Sequence, residues 1–281
     1  MMAKISSTAG NVGSFGRYVI LVLFSISALI PGYIMLTGAL KTQEEFLSSP
    51  WSLPPHPTMT AFSTAISAGL PGWFVNTLVI TAGSVAGVMV LAALAGWGFA
   101  YWRFRGRETL LGLIVSLMVV PPVVLLIPLF QFGAQLGWIS TFRILIIIYV
   151  GLMLPFSIYL LANFFSAIPN SLLEAAQIDG ASTVTIFRRI VLPLSGPPIA
   201  TLVVVNILWA WNELLLALVF LQDPEKHTLM VGVASFRGRY SLDVPTVMAG
   251  MTLVTVPLVI AYLFGQRYFI QGLTAGGVKG E

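Results

Sequence analysis

Apolar residues in this chain come in long blocks rather than in alternation. Such blocks cover Tyr18–Leu40, Trp73–Trp102, Thr109–Phe132, Ile144–Phe165, Pro197–Leu221 and Pro245–Gln266. Each supplies about the 20 residues that an α-helix needs to cross a hydrocarbon core. The pattern predicts about six spans, and nothing reads as the strand-and-turn alternation of a transmembrane barrel. The expected fold class is all-α: a polytopic transmembrane helical bundle, with residues 1–281 as a single transmembrane domain. Only the fifth block contains a charged residue, Glu213.

The first block follows Lys4 and Arg17, as the apolar core of a secretory signal would. It exceeds the roughly 7–15 residues of such a core and lacks a convincing small-residue cleavage site, so it reads as a retained span. Several blocks contain proline (Pro31, Pro121, Pro122, Pro128, Pro155 and Pro257). Each removes a backbone donor and tends to kink its helix, which suits a pathway or moving core but also occurs in rigid bundles. Gly83 and Gly87 form a G-x-x-x-G spacing that permits close helix contact.

Composition turns this pattern into a statement about solvent. The chain is 57% hydrophobic and 9% charged, against roughly 25% charged in soluble domains. So few charges cannot cover a soluble surface, and the lipid bilayer is the expected surrounding. The net charge of +4 comes from basic residues scattered between apolar blocks, which fits positive cytoplasmic loops better than nucleic-acid binding. With the N-terminus inside, one side carries Lys4, Arg17, Arg103, Arg105, Arg107, Arg188, Arg189, Arg267 and Lys279. The other carries Lys41, Arg143, Lys226, Arg237 and Arg239. The first set is the larger, which predicts both termini cytoplasmic in a multi-pass protein of the cell (inner) membrane. The outer segments Lys41–Pro71, expected to be irregular, and Gln222–Val244 read either as solvated connectors or as docking loops for an external partner.

Chemistry-bearing motifs are few. Without cysteine there is no disulfide, thiolate metal site or thiol nucleophile. His56 and His227 are isolated, and no nucleophile elbow or G-x-x-x-x-G-K-[ST] loop is present. No catalytic residue, metal site or cofactor is therefore expected in this chain.

The segment from about 167 to 193 is too polar for a membrane yet patterned as structure. Ser171 and Glu174 have capping-box spacing, and a short helix through Ala175, Ala176 and Ile178 follows. Gly180 falls where a left-handed helix stop is wanted. A second helix, roughly Thr183 to Leu192, runs into Pro193. The expectation is a helix–turn–helix elbow with apolar positions toward the spans, leaving Glu174, Gln177, Asp179, Arg188 and Arg189 free.

Glu174-Ala175-Ala176-Gln177-Ile178-Asp179-Gly180-Ala181, followed by Phe187, Ile190, Leu192 and Pro193, resembles the EAA loop of ABC importer permeases. Gln271–Gly280 and Trp211-Asn212-Glu213 resemble carbohydrate-importer permeases, in particular the maltose-type second permease subunit. Length and span count agree with that family. The resemblance implies that the elbow is a coupling helix seated in a cytoplasmic ATPase subunit. ATPase closure would then switch the spans from inward- to outward-facing, and an extracytoplasmic solute-binding protein would release a sugar into the cavity. The implied partners are a second homologous permease, an ATPase dimer holding ATP and Mg, and that binding protein. The glycine-rich tail, about 267–281, would reach toward the ATPase interface.

In this reading Glu174, Ala175, Ala176, Asp179, Gly180 and Ala181 form the coupling site. Glu174 would face a basic ATPase group, or serve only as a cap; Arg188 and Arg189 read as positive-inside anchors. Asn212 and Glu213 are candidates for the solute pathway, because an ionisable residue inside a span marks a functional position. Equally, Asn212 would satisfy Glu213 structurally. Trp97, Tyr159, Trp209 and Trp211 would stack on sugar rings or simply pack. The alternatives are an ABC permease for another solute, such as a phosphorylated polyol or an oligopeptide, and a self-contained secondary transporter. An intramembrane enzyme is disfavoured by the missing catalytic cluster.

Overall fold

The structure, a computed structural model, describes residues 8–239 and 243–277. They form α1 (Thr8–Ala39), α2 (Gln43–Ser48), α3 (Thr60–Ser67), α4 (Leu70–Tyr101), α5 (Arg107–Ser116), α6 (Pro122–Gln135), α7 (Phe142–Ser166) and α8 (Asn170–Ile178). After these come α9 (Thr183–Ile186), α10 (Leu192–Leu194), α11 (Gly196–Asn212), α12 (Leu215–Phe220), α13 (Leu229–Arg239) and α14 (Val244–Gly277). No strand occurs among the described residues. Of the glycine-rich tail, α14 reaches Gly277 and Val278–Glu281 lie outside the described residues, as does Lys4.

Among the described residues, three helices are each long and apolar enough to cross a membrane: α1 through Arg17–Ala39, α4 and α7. Two bent pairs bring the number to five if each pair is one span. In the first, Arg107–Val119 and Pro122–Gln135 meet at 94°. The third apolar block is therefore not one straight helix. Pro121 is extended (ψ 132°), and neither it nor Pro122 has an N–H to carry the helical ladder across. In the second pair Thr183–Leu194 meets Gly196–Asn212 at 73°. The fifth block is also broken: α11 stops at Asn212, Glu213 is extended, and α12 starts at Leu215. Beyond these, the apolar stretch Val244–Ile260 opens α14.

Contacts divide the chain into two compact units. One is built on α1–α3 and Val233–Leu253, where Ala39, Ala61 and Ala249 pack with Phe62 and Met248. The segment after α1 is more regular than its prolines suggest. Thr42 and Glu45 form a reciprocal capping box at α2. Lys41 is buried, and its ammonium donates to the carbonyls of Ser49 (2.7 Å) and Pro50 (3.1 Å).

The other unit spans Gly69–Gly232 with the continuation of α14 from Val254. Its centre is the α4–α7 pair, whose backbones approach closely. A Cβ added at Gly87 would lie 2.9 Å from Val150 Cγ2, and one at Gly96 only 3.1 Å from the Ala162 backbone nitrogen. At one end, Trp97, Phe165, Leu173, Ile186, Phe187, Val191 and Leu202 form a core joining α4, α7, the 170–194 segment and α11. At the other, Ile80, Leu145, Ile148, Tyr149, Leu216 and Phe220 join α4, α7 and α12. The loop before α13 is tied down rather than free. Asn76 donates to the carbonyls of Glu225 and His227, and Ser140 Oγ accepts from the amides of Gln222 and Asp223.

Candidate functional site

The 167–193 segment folds as two short helices around a glycine turn. The first, α8, begins at Asn170 and carries no side-chain cap, so the capping box expected of Ser171 and Glu174 does not form. Pro169 takes the extended conformation (ψ 128°) that an N-cap requires, and this places Ser171 already inside the helix. At the other end Gly180 is left-handed, φ 80°. Its amide donates to the Gln177 carbonyl, and the Ala181 amide to the Ala176 carbonyl, both at 2.9 Å. These two bonds are a complete Schellman motif, which satisfies carbonyls that would otherwise be orphaned. Ser182 then caps the next helix by accepting from the Thr185 amide. Phe187–Val191 widens into a π turn just before Pro193, which has no N–H for the carbonyl four residues back.

One face of the elbow is anchored. Leu173, Ile186, Phe187 and Val191 are buried against α4, α7 and α11, and each contributes roughly 1.5–3 kcal/mol by leaving water. The Phe187 ring stacks on Trp97 at 5.8 Å. Gln177, expected to be free, donates to the Tyr101 hydroxyl at 2.8 Å and pins α8 to the end of α4. The opposite face is open. Glu174, Ala175, Asp179, Arg188 and Arg189 are exposed, while Ala176 and Ala181 are half-buried. Not every apolar residue turns inward: Ile178 is 87% exposed and Val184 63%.

Asn212 and Glu213 lie elsewhere. Glu213 meets Tyr149, near the start of α7, whereas the elbow follows Ser166 at the end of that helix; the 17 intervening residues of rise place them about 25 Å apart. Both oxygens of Glu213 are engaged. Oε1 accepts from the Leu216 amide at 2.8 Å, while Oε2 accepts from the Ala217 amide at 3.0 Å and from the Tyr149 hydroxyl at 2.7 Å. The carboxylate thus caps the restarted helix α12 at the break. Asn212 does not satisfy it: its side chain is exposed and donates to the Leu208 carbonyl. Sequence reasoning missed Tyr149 and Tyr101, and the only local signal was a hydroxyl within an apolar run. Trp97 and Trp211 are buried, and Trp209 packs edge-on against Tyr149. No group of three or more residues suited to a metal exists among the described residues.

Residues 88–275, more than half the chain, match the family described as binding-protein-dependent transport system inner membrane component. The chain is 35% identical to the melibiose/raffinose/stachyose import permease protein MelC of Bacillus subtilis, over 89% of this chain and 91% of that one. It is 33% identical to the trehalose/maltose transport system permease protein MalG of Thermococcus litoralis, over 92% and 95%. A crystal structure of a bacterial ABC transporter that imports alginate contains a chain of the same fold. The TM-score is 0.81 at 23% identity, covering 95% of this chain and 100% of that one. The apolar helices, the broken spans and these likenesses lead to one assignment. This multi-pass membrane protein belongs to the inner-membrane components of binding-protein-dependent transport systems, as a permease subunit of an ABC importer rather than an enzyme.

Proposed function

We propose that the chain is one of two homologous permeases in an importer of sugars or oligosaccharides, corresponding to the maltose-type second subunit. The relatives named for melibiose, raffinose, stachyose, trehalose, maltose and galactooligosaccharides support that solute class. A binding protein outside delivers the solute, and a cytoplasmic ATPase dimer holds ATP and Mg. The chain crosses the membrane six times, through α1, α4, α5–α6, α7, α11–α12 and α14. Both termini lie inside, as the bias of Lys and Arg favours.

The observation that carries this reading is the elbow's two faces: one buried on α4, α7 and α11, the other presenting Glu174, Ile178 and Asp179 to solvent. A body anchored in this way transmits displacement without absorbing it. Glu174, free of any capping role, faces a basic ATPase group. Ala175 and Ala176 allow close approach, and the Gly180–Ala181 turn sets the angle between the helices. Asn212 and Glu213 mark the break in the fifth span beside the solute path, with Glu213 holding the break closed.

The test is sugar uptake and solute-stimulated ATP hydrolysis in the assembled transporter. Glu174→Lys abolishes both while the chain still inserts. Gly180→Leu does the same, because a side chain at φ 80° costs about 1–2 kcal/mol and tilts the elbow. Normal uptake by Glu174→Lys removes the docking role.

A further inference from the structure

A crevice of about 340 Å³ opens between the end of α4, the start of α5, the end of α7 and the first elbow helix. Its polar lining comes from Arg103, Arg107, Ser166, Asn170, Glu174 and Gln177. Neither arginine is in an ion pair; the one salt bridge among the described residues, Lys226–Asp223, lies elsewhere. Arg107 makes only a long 3.4 Å hydrogen bond to Ser166 Oγ. Two helices of eight residues or more start at this crevice, α5 at Arg107 and α8 at Asn170, and neither has a side-chain cap. Their first-turn amides carry the positive ends of the helix dipoles. Guanidiniums outside any ion pair and the positive ends of two helices together describe a site for an anion with several acceptor oxygens.

Position says which anion. Arg103 and Arg107 flank the point where the apolar helix α4 ends and the apolar helix α5 begins, so the crevice sits at the edge of the hydrocarbon. Trp102 and Phe104, 53% and 44% exposed, stand there as an interfacial aromatic pair. At that depth the abundant anion is a lipid phosphate, and basic pockets between spans are where such headgroups lodge. We propose that this crevice binds the phosphodiester headgroup of an anionic phospholipid. Arg103 and Arg107 engage the phosphate, while Asn170 and Gln177 receive the polar remainder of the headgroup. The proposal rests on the orientation above only in placing this lipid in the inner leaflet. A headgroup wedged between α8 and α4 braces the elbow at its base.

The test uses the full-length chain, purified with its partner subunits in nanodiscs of phosphatidylcholine doped with phosphatidylglycerol. Lipid mass spectrometry reads what is retained. Phosphatidylglycerol is expected to be held in preference to phosphatidylcholine, and Arg103→Ala/Arg107→Ala weakens its retention about tenfold or more. Arg103→Lys/Arg107→Lys restores part of it, because charge remains while the two-pronged geometry is lost. Arg105→Ala, outside the crevice, leaves it unchanged. Equal retention by the double alanine variant, an equal loss with Arg105→Ala, or no preference for phosphatidylglycerol in the unaltered protein overturns the proposal. Displacement by soluble glycerol phosphate as effective as that by lipid also overturns it, because the ligand is then a free phosphate. The preference of the unaltered protein decides the question even if the alanine variant does not insert. Retained phosphatidylglycerol in a preparation with no ATPase supports this site and removes the importer reading alone.

Discussion

At the scale of residues, two Ser/Thr-x-x-Glu spacings have opposite outcomes. Thr42 and Glu45 close a reciprocal box, whereas Ser171 and Glu174 do not. The difference lies in the backbone before each: Thr42 is itself extended, while Pro169 has already taken that conformation two residues before Ser171. The motif is legible in sequence; the conformation that activates it is not. Glu213 shows the same limit at long range. A carboxylate in an apolar block was evident, but its partner Tyr149 lies 64 residues away and its other contacts are the amides of Leu216 and Ala217. Glu213→Ala should lower thermal stability of the purified complex by about 1–3 kcal/mol, since it uncovers buried donors. Tyr149→Phe alone should cost about 0.5–1.5 kcal/mol. In the Glu213→Ala background the second substitution should add almost nothing, which a double-mutant cycle of melting temperatures measures. Full additivity would mean the two groups do not act together.

At the scale of elements, the apolar blocks were readable because roughly 20 residues of unbroken apolarity has few other meanings. Where those helices break was less so. The Pro121–Pro122 pair announced a kink, but its 94° size depends on both missing donors coinciding with an extended Pro121. The break after Asn212 has no proline to announce it and is stabilised by the Glu213 cap. The G-x-x-x-G of α4 does sit against α7, at Ile146 and Val150. The tightest backbone approach, however, is at Gly96, which no motif singled out. Gly96→Val should therefore destabilise the α4–α7 pair by about 1–3 kcal/mol, as overpacked helix contacts do. Gly98→Ala, whose Cβ would meet only Trp102 at 3.8 Å, should be neutral. Protease resistance of the membrane-inserted chain distinguishes them. Equal behaviour would show that the seam tolerates a side chain.

At the scale of the molecule, the elbow and the break at Glu213 stand about 25 Å apart along α7. In the proposed coupling, motion delivered at the elbow would reach the break through the α4–α7–α11 packing. The elbow's existence and its glycine turn were legible, because Gly180 and the polarity of 167–193 are local properties. Its display of Ile178 and Val184 was not, because exposure depends on which face α4 and α7 bury. The central claim is that this exposed face holds an ATPase. The most direct measurement is ATP hydrolysis recovered when the tagged, membrane-extracted chain is purified. The unaltered chain should bring ATPase activity with it, and Ile178→Asp/Val184→Asp should insert normally yet recover little or none. Undiminished ATPase recovery with the double aspartate variant, or none with the unaltered chain, would contradict the account.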